Sequence, residues 1–123
     1  MFIGVLLAAP PAERGKAAYD RGDYQEAIAL FNRAIKLNSK NAKAYKNRGN
    51  DYRALGEPQK AIDDYNAAIK IDKNYVIPYY NIGIVHQDLG DVKKAFEYYD
   101  KAEKIDPNYY NTYYARGVFS IAD

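Results

Sequence analysis

Three stretches decide the fold: RGDYQEAIALFNRAIKL (residues 21–37), LGEPQKAIDDYNAAIKI (55–71) and LGDVKKAFEYYDKAEKI (89–105) align without a gap at a spacing of 34 residues. The register extends outward from them. Gly15, Gly49, Gly83 and Gly117 share it, as do Gly22, Gly56 and Gly90. So do Ala27, Ala61 and Ala95, each followed seven residues on by Ala34, Ala68 and Ala102. A fixed period of this length is the mark of a repeat architecture, in which each unit buries its apolar face against the next.

Each unit reads as two amphipathic helices. In the second, Ala44, Tyr45, Arg48, Gly49, Tyr52 and Leu55 fall at steps of three and four, the helical period. Gly56-Glu57-Pro58 then makes a turn: glycine tolerates positive φ and proline suits a first helical turn. Ala61, Ile62, Tyr65, Ala68, Ile69 and Ile71 mark the inner face of the second helix. The small residues Gly49, Ala61 and Ala68 let two backbones approach, and Tyr45, Tyr52 and Tyr65 fill the space beside them.

These residues resemble the tetratricopeptide repeat family, whose unit is a 34-residue helix–turn–helix. The family's early aromatic matches Tyr45, Tyr79 and Tyr113, and its Gly or Ala four residues on matches Gly49, Gly83 and Gly117. The small residue opening its second helix matches Ala27, Ala61 and Ala95, and the following aromatic matches Phe31, Tyr65 and Tyr99. Pro11 stands where the first aromatic belongs, which predicts a short first helix. Of the unit-ending prolines only Pro107 is kept; Ser39 and Lys73 replace the others. The resemblance implies an all-α, right-handed α-solenoid of antiparallel helix pairs. Its units are expected at 10–41, 42–75 and 76–109, after an apolar segment at 1–9 and before the first helix of an incomplete fourth repeat at 110–123.

Composition narrows the function. The 123 residues contain 14 tyrosines and no cysteine, so thiol catalysis, disulfides and thiolate metal sites are excluded. The eight mostly apolar residues Phe2–Ala9 fall far short of the roughly 20 that span a bilayer, so no stable membrane span is expected. The default compartment is the cytoplasm, with export the reading if residues 1–9 are the remnant of a signal. His86 is the single histidine and reads as a helix-packing residue. Asp63 and Asp64 point about 100° apart on a helix, cannot converge on one atom, and read as a solvated face. Arg21-Gly22-Asp23 occupies a turn where the repeat itself demands Gly-Asp. Lysines and arginines are scattered through the helices, which argues against nucleic acid. No cofactor or metal motif is present, and a non-catalytic scaffold is the expectation.

Charge gives the scaffold a polarity. Residues 1–62 hold 11 Lys/Arg against 6 Asp/Glu, a net of +5, whereas residues 63–123 hold 7 against 10, a net of −3. If the first helices of successive units line a concave surface, as in the family, the groove gathers Lys16, Tyr19, Lys43, Lys46, Asn50 and Arg53 at a basic end. Ile77, Tyr80, Asn81, Ile84, Gln87, Asn111 and Tyr114 follow at a tyrosine-rich and aliphatic end. Such a groove suits a partner peptide with an acidic or carboxylate end and apolar anchors, the amides of Asn50 and Asn81 holding its backbone. Some family members grip the C-terminal carboxylate of chaperones. Lys46, Asn50 and Asn81 match that clamp, but Asn111 and Ala115 stand where its distal basic pair belongs. The alternative reading is self-assembly through apolar ends, with Val118, Phe119 and Ile121 as the contact, or service as the docking part of a larger protein.

Overall fold

The computed structural model describes residues 9–109. Among them six helices follow one another and no strand occurs: α1 Pro11–Asp20, α2 Tyr24–Leu37, α3 Ala42–Ala54, α4 Pro58–Ile71, α5 Val76–Asp88 and α6 Val92–Ile105. Asn111, Tyr114, Val118, Phe119 and Ile121 lie outside the described residues, as do residues 1–8. The helices pack as successive antiparallel pairs, α1 with α2, α3 with α4 and α5 with α6. Across pairs, α1 touches α3 and α3 touches α5, whereas α2, α4 and α6 do not touch one another. The stack therefore curves, with α1, α3 and α5 along its inner side. The chain is an all-α solenoid, and α1, with 10 residues against 13 in α3 and α5, is the short first helix that Pro11 predicts.

Two kinds of turn enforce this path. Within each pair, Gly22, Gly56 and Gly90 take φ values of +82°, +76° and +85°, where a β-carbon is disfavoured. The next residue's N–H closes the helix end: Asp23 donates to the carbonyl of Ala18, Glu57 to Tyr52 and Asp91 to His86, at 2.8–2.9 Å. At the end of each pair, the carboxylate or amide oxygen of Asn38, Asp72 and Asp106 accepts the backbone N–H two residues on at 3.0 Å. These Asx turns do the work of the missing prolines at Ser39 and Lys73.

The core within each pair is a ring laid against a helical glycine. A β-carbon on Gly49 would stand 2.7 Å from Cε1 of Tyr65 and 3.2 Å from the Ala61 carbonyl; Gly15 faces Phe31 and Gly83 faces Tyr99 in the same way. Phe31, Tyr65 and Tyr99 are all 0% exposed. Apolar contacts carry the junction between the second and third pairs, where Ala61 and Tyr65 pack with Ile82 and Val85.

The junction between the first and second pairs keeps an apolar part, where Ala44 joins the cluster of Ala27, Leu30, Phe31 and Ala34, and adds a polar one. Arg48, at the position of Ile82, donates from Nε and Nη2 to the two oxygens of Asp64 at 2.8 and 2.6 Å, and from Nη1 to Asn32 at 2.7 Å. One guanidinium thus ties α2, α3 and α4 together. This corrects the reading of Asp64 as solvated: it is 5% exposed, and only Asp63 faces water. Asp51, at the position of Val85, is 0% exposed and neither carboxylate oxygen has a hydrogen-bond partner. Burial first, and the charge of Asp64 second, push its carboxyl up from 3.8 to about 7.

Two stability measurements test this packing. Gly49→Ala gains about 1 kcal/mol of helix propensity, but the Tyr65 ring has no room to move, so denaturant unfolding should show a net loss of about 1–3 kcal/mol. Asp51 is protonated more readily in the folded chain than in the unfolded one, so its ionisation penalises folding increasingly as pH rises from about 4 to about 7. Asp51→Val, the residue of the third pair, should therefore raise Tm at pH 8 by the equivalent of about 2–4 kcal/mol. It should also flatten the fall in stability across that window; an unchanged pH profile would show that Asp51 is hydrated.

Candidate functional site

The inner side of the solenoid is a trough assembled by the faces of α1, α3 and α5 that turn away from the ring–glycine core. One hollow of about 170 Å³ is lined by Lys16, Tyr19, Asp20, Phe31, Lys46, Asn47 and Asn50. It shares Tyr19 and Asn50 with a second of about 250 Å³, completed by Arg53, Ala54 and Asp88. It shares Lys46 with a third of about 430 Å³, lined also by Ala42, Lys43, Asp72, Tyr75 and Ile77. Through Arg53 and Asp88 the trough continues into a fourth of about 280 Å³, walled by Gly56, Pro58, Val85 and Leu89.

The core rings set the polar floor of this trough. Tyr65 reaches through from α4 and its hydroxyl donates to Oδ1 of Asn50 at 2.6 Å. Nδ2 of Asn81 donates to the same oxygen at 3.2 Å. Asn50 is thereby oriented with its carbonyl taken and its own N–H groups left to face the trough. Asn81 is only 7% exposed, so it supports Asn50 from beneath. In the next pair the Tyr99 hydroxyl donates to Oε1 of Gln87 at 2.6 Å. Burial pushes both tyrosine hydroxyls well above their ordinary value, so both stay protonated donors. Phe31 has no hydroxyl, and the first pair contributes no such bond.

Charge is concentrated at one end. Burial first, then the charges of Lys43 and Lys16, pull the Lys46 ammonium below its ordinary 10.5. Among the described residues none of the three lysines forms an ion pair, although Asp20 and Asp72 stand at the margins of the same hollows. Further along, Arg53 Nε and Asp88 Oδ2 sit 3.7 Å apart, linking α3 to α5 across the trough. Tyr80 stands between the rings of Tyr99 and Tyr109, at centroid distances of 5.9 and 5.5 Å. Ile84 is half-buried on α5. His86 stacks on Tyr98 at 5.8 Å.

The trough therefore brings Lys16, Tyr19, Lys46, Asn50 and Arg53 onto one surface, with Lys43 and Ile77 beside it. Asn111 and Tyr114 lie outside the described residues. Pro58, Val85 and Leu89, whose hollow opens beside Arg53, were not among the expected groove residues. The hollow's signal was present as a break in the register, since Pro58 stands where the first pair has Tyr24.

Family models for the TPR repeat match residues 15–50 and 49–90, and one for the tetratricopeptide repeat matches residues 76–109. The chain belongs to the tetratricopeptide repeat family. Among solved structures, the TPR domain of Arabidopsis OM64 is similar at 29% identity and a TM-score of 0.83, over 92% of this chain and 93% of that one. MamA is similar at 29% identity and 0.81, over 98% of this chain and 74% of that one. The first TPR of Spaghetti (RPAP3), solved bound to the HSP90 peptide SRMEEVD, matches at 23% identity and 0.81, over 91% and 89%; at that identity the likeness speaks for the fold.

The lysine cluster gives a direct measurement. Like charges disfavour the folded state, and they are screened by salt. Lys46→Gln should raise Tm at low ionic strength, with the gain shrinking in 0.5 M salt. Because a depressed lysine sheds its proton earlier in the folded chain, wild-type stability should also rise with pH as 10.5 is approached from below, and Lys46→Gln should weaken that rise.

Proposed function

We propose that this tetratricopeptide repeat chain is a non-catalytic scaffold that binds a segment of a partner protein along the inner trough, and that the partner's acidic group sits at the lysine end. The observation that carries the reading is the convergence of Lys16, Lys43 and Lys46 without an ion pair, beside the half-buried amide of Asn50. Lys46 shares one hollow with Lys16 and another with Lys43, both charges disfavour its ammonium, and a carboxylate is the neutralising anion a polypeptide supplies. The Asn50 N–H groups, fixed by Tyr65 and Asn81, are donors ready for a backbone carbonyl, whatever the side chain beside it. Among the described residues no group of three or more His, Asp or Glu side chains could hold a metal, and no helix is long and apolar enough to cross a membrane.

The match to the chaperone-binding clamp stops at Lys46, Asn50 and Asn81, and Asn81 lies beneath the surface. The reading therefore commits to an acidic or carboxylate-bearing segment without restricting it to a chain terminus. Self-association through Val118, Phe119 and Ile121 is the second reading; sedimentation over a range of concentrations distinguishes it, because groove binding leaves the free chain's mass constant.

Lys43→Glu combined with Lys46→Glu should weaken binding of an acidic partner peptide at least 100-fold, with helicity by circular dichroism unchanged. The weakening should be steepest at low salt. Affinity that survives the double reversal would place the partner elsewhere on the molecule.

A further inference from the structure

Two carboxylates at the junction between the first and second pairs face a single guanidinium. Arg48 spends Nε, Nη1 and Nη2 on Asp64 and Asn32. Asp51 stands three residues along α3 from Arg48, a spacing at which helical side chains meet. Yet neither of its oxygens has a partner, and it is 0% exposed. A buried carboxylate without a hydrogen bond costs far more than a buried carboxylic acid, so the closed junction favours the protonated form.

The surroundings of Asp51 offer no other relief. From α4 the Asp64 charge acts on it and opposes its ionisation. α2 turns Ala27, Leu30, Phe31 and Ala34 toward α3 and brings no charge to bear on Asp51. α1 and α5 meet α3 along the trough, where Lys16, Arg53 and Asp88 stand, and none of these charges acts on it either. On α3 itself Arg48 is held by Asp64, and Tyr52 lies under the Lys60 ammonium of α4.

The second junction is an internal control. Ile82, Val85 and Tyr98 stand there in place of Arg48, Asp51 and Asp64, and Ile82 and Val85 pack with Ala61 and Tyr65. In a solenoid each junction is a nearest-neighbour interface with a stability of its own, so one can open while the other holds. Opening the first junction wets Asp51 and returns its carboxyl from about 7 toward its ordinary 3.8. Opening therefore becomes about tenfold more favourable per pH unit between about 4 and about 7, and levels off above that.

We infer that the first junction is a pH-governed hinge: with Asp51 protonated it holds the first helix pair against α3, and with Asp51 ionised it opens more readily. The lysine hollow lies across this hinge, with Lys16, Tyr19 and Phe31 on one side and Lys46 and Asn50 on the other. Acid thus closes this end of the trough and neutrality loosens it. The hinge needs no partner, so it stands or falls separately from the groove reading.

The chain has no cysteine, so one introduced thiol reports one place. Ala44→Cys or, from α2, Ala34→Cys puts it in the first junction and Val85→Cys in the second, all at buried positions. Labelling of the full chain by 4,4′-dithiodipyridine, which reacts in mild acid, is followed from about pH 4.5 to about pH 8. Each rate is divided by that of an unstructured thiol peptide at the same pH. The first-junction thiol should lose protection at least 10-fold between about pH 5 and about pH 7 and then level off, while Val85→Cys changes less than about 2-fold. Asp51→Asn, which keeps the shape of the protonated acid, should make first-junction labelling independent of pH, and Asp51→Val should do the same. His86→Gln, which removes the one imidazole of the chain, should leave the profile as it is. Two junctions that lose protection together would show unfolding of the whole chain and overturn the hinge. So would a flat first-junction profile, or one that survives both Asp51 substitutions.

Discussion

Everything in this solenoid depends on a ring lying flat against a glycine. Without a β-carbon at Gly15, Gly49 and Gly83 the two helices of each pair approach until Phe31, Tyr65 and Tyr99 fill the gap between them, fully buried. That distance fixes where the next helix can sit, because Ile82 and Val85 of α5 pack on Ala61 and Tyr65 of α4. It also fixes the floor of the trough. In the second and third pairs the ring is a tyrosine, long enough for its hydroxyl to emerge on the far side and hold Asn50 or Gln87. One side chain is core at its ring and groove at its oxygen, so the positioning of Asn50 follows from the packing itself.

The two junctions between pairs show how differently the same position can be used. Ile82 and Val85 make an apolar seam, whereas Arg48 and Asp51 make a polar one. The Arg48–Asp64 contact is bidentate and charge-assisted, and with Asn32 it fixes the register of three helices. A buried pair of this kind need not add net stability, since desolvation opposes the attraction; what it adds is directionality, because a guanidinium satisfied on three helices has one arrangement. Asp51 shows the other side of the same choice. It sits unpartnered in a position built for valine, and its neighbour Asp64 already answers to Arg48.

The 34-residue register made the fold readable from sequence, because turns, glycines and rings are local requirements that recur. The glycine turns and the core rings followed from it, and the short α1 from Pro11, which stands where the register expects an aromatic. What periodicity could not supply was the identity of departures from the repeat. Asp64 read as solvated because adjacent carboxylates diverge on a helix and cannot form a pair, and only the structure sets Arg48 opposite it across sixteen residues. Asn81 read as a groove donor because it lies on an inner helix, yet it stands one step too deep and its amide N–H goes to Asn50. The hollow beside Arg53 went unread because its apolar walls, Pro58, Val85 and Leu89, come from two different helix pairs that only the packing brings together.

Departures from the repeat are also where specificity must reside. Positions that obey the register maintain the scaffold, and they are shared by any chain built on it, so they cannot distinguish one partner from another. On the trough side the residues that break it include Lys46 and Asn50 on α3 against Tyr80 and Ile84 on α5, and Arg53 and Pro58 against Tyr19 and Tyr24. Each break alters the trough without disturbing the ring–glycine contact behind it. Asn50 is the clearest case: its neighbour Gly49 is packed against the Tyr65 ring, and Tyr65 and Asn81 hold its amide oxygen, so the group is oriented before any ligand arrives. In the proposed mode of binding, rigid donors would lose little entropy, whereas the long lysines beside them would be ordered by the partner's anion. Affinity would be divided accordingly, with orientation coming from the core and attraction from the charges laid over it.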